Sequence, residues 1–390
     1  MKTPIYMDHN ATTPVDPRVV EAMAPCWSEH FGNAASRTHA YGWAAAKLAE
    51  KARAGIAAAI GAHPEEIVFT SGATESNNLA IKGAAWALRS HRPRIVTCAT
   101  EHKAVLDPCH ALERAGLEVT VLAVDSCGRL DPLRVAEALT PATALVSVMR
   151  ANNETGTLQR LREIAAACRE HGVLVHCDAT QAVGKLPVNV DDLGVDLMSF
   201  SAHKIYGPKG VGALYIRRRR PRLRLVPLFD GGGHEQGIRS GTLDVPGVVG
   251  FARALEIAIA ELSEESRRLA ALRDRLQQAV CSRLDGVTLN GVPEERLPNT
   301  LNLSFSGVDG AALLVGLTEV AVASGSACTS ADPRPSHVLM AMGRSKQLAN
   351  ASIRFSLGRS NTAEEVDVAA AAVVREVSRL RAQARPRPTL

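Results

Sequence analysis

The chain has 390 residues, 46% of them hydrophobic and 22% charged, with a formal net charge of +5. That length and balance suit a globular protein that buries a large core in one larger and one smaller unit; they exclude a disordered chain and give no ground for a nucleic-acid-binding one. No uncharged apolar run reaches bilayer length, the opening MKTPIYMDHNATTP has no basic-then-apolar leader, and the eight cysteines show neither a CxxC pair nor zinc-ligand spacing, so a cytoplasmic protein without membrane span, disulfide framework or metal site is expected.

Taken in chain order, strand-length apolar runs alternate with Ala-rich helical segments, the mark of an α/β protein with a mainly parallel sheet. EIVFTS (66–71) predicts the first strand. It runs into TSGATESNN, where Gly72 lets the backbone turn, Ala73 and Thr74 follow, and a helix is expected over 74–89. Amides and a hydroxyl at a helix N-terminus make an anion site, although a glycine turn before a helix cap is common for backbone reasons alone. RIVTCAT (94–100) leads to His102 and a helix over 104–115. A lone histidine there is usually a packing residue, but a ring lying over a cofactor can also move protons. Strands are expected over 117–124 and 144–150 with a helix over 132–139 between them, and the second strand enters the glycine-ended turn MRANNETG, which holds Asn153.

After a helix over 161–171, VLVHCD (173–178) ends on Asp178, with Gln181 just beyond. A carboxylate at the end of an apolar strand is costly unless it meets a cation. LMSFSAH (197–203) delivers Ser201, His203 and Lys204, and GALYIR (212–217) completes seven strands. One long helix over 247–284 is expected to carry the chain into a smaller α+β unit built from 297–305, DGAALLVGL, EVAVASGSACTS, SIRFSL and a helix over 363–383. The expected division is 15–255 for the large unit and 1–14 with 256–390 for the small one. The basic runs Arg217–Arg224 and RLRAQARPRP read as a solvated loop and tail, with docking of an acidic partner as the sharper reading.

In open parallel sheets ligands sit beyond the carboxyl ends of the strands, and here five such ends carry polar groups suited to one ligand. A lysine can hold an aldehyde as a Schiff base, a carboxylate can keep a pyridine nitrogen protonated, and small donors can hold a phosphate; together these are the needs of pyridoxal 5'-phosphate. Cys328 lies among Ser324, Gly325, Ser326, Ala327, Thr329 and Ser330, before the Pro-broken ADPRPSH, a composition that predicts an exposed loop of about 324–335. Cys98, Cys168 and Cys177, with Cys26, Cys109 and Cys281, read as small buried hydrophobes, and Cys127 in DSCGRLD reads as a second exposed thiol.

From MDHNATTPVDPRV through FGNAASRTHAYG, IVFTSGATESNNLAIKG, ANNETGTLQ, HCDATQAVGKLPV, SFSAHKIYGPKGVGALYIRR and GGGHEQGIRSGTLDVPG to ASGSACTSA and SIRFSLGR, the chain resembles the NifS/IscS-type cysteine desulfurases of the class V, fold type I pyridoxal phosphate enzymes. The resemblance spans nearly the whole chain. It implies that Lys204 forms the Schiff base, Asp178 partners the pyridinium, Gln181 bonds the ring hydroxyl, and His102 stacks on the ring as acid or base. Gly72, Ala73, Thr74, Ser201 and His203 would hold the phosphate. Thr242 would reach the cofactor of the other subunit of a homodimer, and Asn153 and Arg354 would bind the substrate L-cysteine. Cys328 would take its sulfur as a persulfide, leaving L-alanine, and pass it to a protein acceptor. Rival readings are a selenocysteine lyase, another class V aminotransferase and, last, a catalytically silent scaffold. The short basic tail differs from the longer C-terminal segment by which the iron-sulfur housekeeping type docks its scaffold.

Overall fold

The computed structural model describes residues 3–218, 223–324 and 335–384; Cys328, the middle of the Arg217–Arg224 run and the end of the basic tail lie outside the described residues. Seven strands form one sheet: β1 (Ile67–Thr70), β2 (Arg94–Cys98), β3 (Glu118–Leu122), β4 (Thr143–Ser147), β5 (Leu174–Asp178), β6 (Leu197–Ser201) and β7 (Gly212–Ile216). Their spatial order is β1-β7-β6-β5-β4-β2-β3, and β7 runs antiparallel to both neighbours while the other pairs are parallel. IVFT, TALVS, LVHCD, LMSFS and GALYI are buried along their whole length, as expected where helices cover both faces of a sheet.

A second sheet of β8 (Val287–Leu289), β9 (Thr300–Phe305) and β10 (Ser352–Ser356) is antiparallel in the order β10-β9-β8. Its core is a separate apolar cluster that includes Leu276, Leu303, Phe305, Phe355 and Val373 together with Met7 from the chain's start. The N-terminal segment runs between the two sheets. His9 N donates to Ser356 O at 3.0 Å and Thr13 N to His203 O at 3.0 Å. Only Asn10, Ala11 and Thr12 lie between these two contacts, so a short stretch of chain spans the gap between the second sheet and the end of β6.

The longest departures from the sequence reading are in two helical regions. The expected helix over 247–284 is two helices, Val245–Ala260 and Leu262–Cys281, which meet at Glu261. That residue's carboxylate is held by Arg18 at 2.8 Å and Arg359 at 3.2 Å, so the break is tied down from two other parts of the fold. The helix Ala40–Ala59 was not expected, although its buried Ala45, Ala49, Ala52 and Ile56 recur at helical spacing and His39 caps it through Gly42 N. Cys281 is exposed, contrary to the small-hydrophobe reading, because it ends its helix away from the apolar stripe. Cys26, Cys98, Cys109, Cys168 and Cys177 are buried. Among the described residues no helix is long and apolar enough to cross a membrane.

Candidate active site

β1 ends at Thr70, and Gly72, at φ 145° and ψ 177°, turns the chain into the helix Ala73–Leu88 with no side-chain cap. Gly212 on β7 lies so close that a Cβ there would fall 2.6 Å from Gly72 Cα, so the bare backbone at 212 permits the approach while the φ of 145° favours glycine at 72. An uncapped helix start carries unsatisfied N–H groups and the positive end of the helix dipole, here beside the Thr74 hydroxyl. On the buried face of the same helix, Asn77 Nδ2 donates to Asp178 Oδ2 at 2.7 Å, and Thr180 N donates to Asp178 Oδ1 at 3.0 Å. Asp178 is thereby fixed in direction at the end of β5.

His102 caps the helix Lys103–Arg114: its Nδ1 accepts from Ala104 N at 3.1 Å, which leaves the ring proton on Nε2. Beside it, Glu101 is fully buried. Its Oε1 accepts from Met149 N at 2.6 Å, while Oε2 has no hydrogen-bond partner among the described residues. Burial above all, with a further push from Asp178, drives the Glu101 carboxyl well above its ordinary 4.5. The folded chain therefore holds this proton more tightly than the unfolded one, and Glu101 costs stability as pH rises above 4.5. Glu101→Gln keeps an acceptor for Met149 N and cannot ionise. It is expected to gain stability over the parent between about pH 5 and pH 8 and to converge with it toward about pH 4. Urea midpoints across that range check this; a variant less stable than the parent at the alkaline end contradicts it.

The segment after β6 folds as a single 3-10 turn, Ala202–Lys204, which points Lys204 back to the N-terminal segment. Its Nζ donates to Asn10 O at 2.7 Å and Ala11 O at 2.6 Å. Ser201 Oγ donates to Val211 O at 3.3 Å, and His203 Nδ1 lies 3.1 Å from Thr12 Oγ1. Burial, then the charges of Lys204, Lys209 and Lys185, lower the His203 pKa to about 4, so the ring is neutral near pH 7. Arg354, only 1% exposed, comes from β10; its Nη2 meets Asp8 Oδ1 at 2.6 Å and its Nη1 donates to Asn153 O at 3.1 Å. Arg354 also pairs with Ala323, close to the last residue described before Cys328. Beyond that segment, Ser336 Oγ donates to Glu154 Oε2 at 2.5 Å and His337 Nε2 lies 2.9 Å from Glu101 O. Both flanks of the Cys328 segment are thus bonded to chain that borders the site.

Every sequence-expected site residue within the described part, except Thr242, lines one cavity of ≈ 470 Å³. Thr242 is exposed and outside this cavity. The volume is that of a small-molecule site. Its donor set fits pyridoxal phosphate: an anion-binding helix start, a directed carboxylate opposite a cationic ring nitrogen, and an amine for the aldehyde. Glu101, Asn77, Asn10 and Lys185 were missed in the sequence. Asn77 alone left a signal, as an amide on the apolar face of a helix. Among the described residues no group of acidic, histidine or cysteine side chains is arranged to hold a metal.

Comparison with known proteins agrees with this geometry. The family model described as aminotransferase class-V matches residues 5–368. A protein of Anaeromyxobacter sp. (strain Fw109-5) named cysteine desulfurase IscS is 58% identical over 381 residues, 98% of this chain and 94% of its own. The Homo sapiens protein named cysteine desulfurase is 51% identical over 378 residues, 97% of this chain and 82% of its own. Among solved structures, one described as a NifS-like protein has a TM-score of 0.90 at 40% identity, covering 97% of this chain and 100% of that one. SspA in complex with cysteine has a TM-score of 0.81 at 37% identity, covering 90% of this chain and 98% of that one.

Proposed function

We propose a cysteine desulfurase reaction for this site from one premise: the chain belongs to the aminotransferase class-V family. The observation that carries the reading is the convergence, in one cavity, of the Lys204 amine, the directed Asp178 carboxylate and an uncapped helix start. The relatives named cysteine desulfurase support the choice among class V reactions. Pyridoxal phosphate, when bound, supplies an electron sink for the substrate's Cα.

The chain's own residues do the rest. The turn at Gly72, Ala73 and Thr74, with Ser201 and His203, would hold the phosphate, Asp178 the proton on the ring nitrogen, and Gln181 the ring oxygen. Arg354 would pair with the α-carboxylate of L-cysteine; Asp8 and Asn153 O orient its guanidinium from behind and leave Nε without a partner among the described residues. Lys204 would take the Cα proton, and His102, which lines the same cavity with its proton on Nε2, would serve as a second acid or base. Cys328, as thiolate, attacks the substrate sulfur: an S–S bond forms, the C–S bond breaks with its electron pair passing to carbon, and that carbon takes a proton to give L-alanine. The persulfide sulfur then passes to a protein acceptor.

A homodimer in which Thr242 reaches the partner's site belongs to the same proposal. Trp27, Phe31, Tyr41 and Trp43 each expose more than half of their surface, and the Phe31 and Tyr41 rings lie 5.3 Å apart, exposed aromatic area of the kind that associates. The division at 15–255 and 1–14 with 256–390 is proposed too, supported by the separate core of the second sheet. The test is a substrate ranking with the purified, cofactor-loaded protein under reductant. L-Cysteine is expected to give alanine and sulfide in equal amounts. Strong preference for L-selenocysteine would move the assignment to a lyase, and transfer of an amino group to a keto acid without sulfide would move it to an aminotransferase.

A further inference from the structure

Lys185 has no part in the mechanism above, yet its amine lies between two residues of the site. Its Nζ donates to Gln181 Oε1 at 2.6 Å and to Asn10 Oδ1 at 3.1 Å. Gln181 Nε2 in turn donates to Asn10 O at 3.0 Å, the carbonyl that also accepts from Lys204 Nζ. A main-chain carbonyl can only accept, so the amide edge of Gln181 must face Asn10, and its oxygen then faces Lys185. One N–H of Gln181 remains for the cavity that the side chain lines. Asn10 is itself immobilised, through Asn153 O, Thr300 Oγ1, Ser356 Oγ and Asn299 Nδ2.

We propose that Lys185 is a positioning residue that, with Asn10, locks the Gln181 amide so that it presents an N–H, not an oxygen, to the cofactor's ring oxygen. The inference rests on the pyridoxal phosphate reading. The charged and titratable groups around Lys185 are His9, His203, Lys204 and Arg354, with Tyr206, Glu261, Glu265 and Arg359 across a small cavity behind it. Among the described residues no carboxylate forms an ion pair with Lys185, and burial followed by repulsion from Lys204 and Arg354 lowers its pKa well below the usual lysine range. Its two hydrogen bonds make it a donor to Gln181 and Asn10.

The experiment is a pH titration of the visible absorbance of the cofactor-loaded protein, in a double-mutant cycle of Lys185→Met and Gln181→Ala. A donor at the ring oxygen stabilises its anion, so losing the donor raises the chromophore's pKa. Each single variant is expected to raise it by about one unit, and the double variant by no more than either. Lys185→Gln, which can still donate to Gln181, is expected to restore most of the parent value, and thermal melting keeps a folding defect apart from the shift. Shifts that add in the double variant mean that Lys185 acts independently of Gln181 and overturn the inference. A normal band that Lys185→Met leaves unmoved overturns it as well, while a parent protein with no visible band overturns the cofactor reading and the inference together.

Discussion

Lys204→Ala is expected to lower alanine formation from L-cysteine about 10⁴-fold, the upper range for a positioned acid or base, and to let the cofactor escape on gel filtration. The expectation follows from where the amine sits. Nζ is held by the carbonyls of Asn10 and Ala11, at the end of a short 3-10 turn, in the cavity that Asp178 also lines. Lys209 also lines the cavity, and comparing Lys204→Ala with the Lys204→Ala, Lys209→Ala double variant separates any background turnover through it. Near-normal activity with retained cofactor in Lys204→Ala would remove Lys204 from the role given to it here.

The strands that build the site were legible because each is a short apolar run buried on both faces, and such runs are the strongest signal in an α/β chain. Asp178, Ser201 and Lys204 could be placed from the same signal, since they stand at strand ends where a parallel sheet collects its ligand. The break at Glu261 could not, because the helical pattern continues through it and the ion pairs with Arg18 and Arg359 that accompany it come from sequence positions far away. The same holds for Asn10 and Lys185. Asn10 reads as one polar residue in DHNATT, and its importance lies in bonds to Gln181, Lys204, Asn299 and Ser356, which only the fold brings together. Glu101 is one acidic residue after a strand in CATEHK, and only tertiary packing buries it against the Met149 amide.

Cys328→Ala is the other substitution with a very large expected effect. Removing the nucleophile of a covalent step typically costs on the order of 10³-fold or more in turnover. Nothing described in the cavity replaces it: Cys98 and Cys177 are buried, and burial raises both thiols, Cys98 to about 12, where almost no thiolate exists near neutral pH. Cys127 is partly exposed, but it is held in a turn by Asp125, its N donating to Asp125 Oδ1 at 2.8 Å, and it does not line the cavity. Because Lys204, Asp178 and the Gly72 turn are untouched by the substitution, cofactor binding should be unchanged.

The decisive measurement compares the parent and Cys328→Ala proteins, each loaded with pyridoxal phosphate, for alanine and sulfide formed from L-cysteine under a reductant. Equimolar alanine and sulfide from the parent, both lost in the variant while its visible spectrum stays intact, is the predicted result. Undiminished alanine and sulfide from Cys328→Ala would contradict sulfur transfer through that thiol.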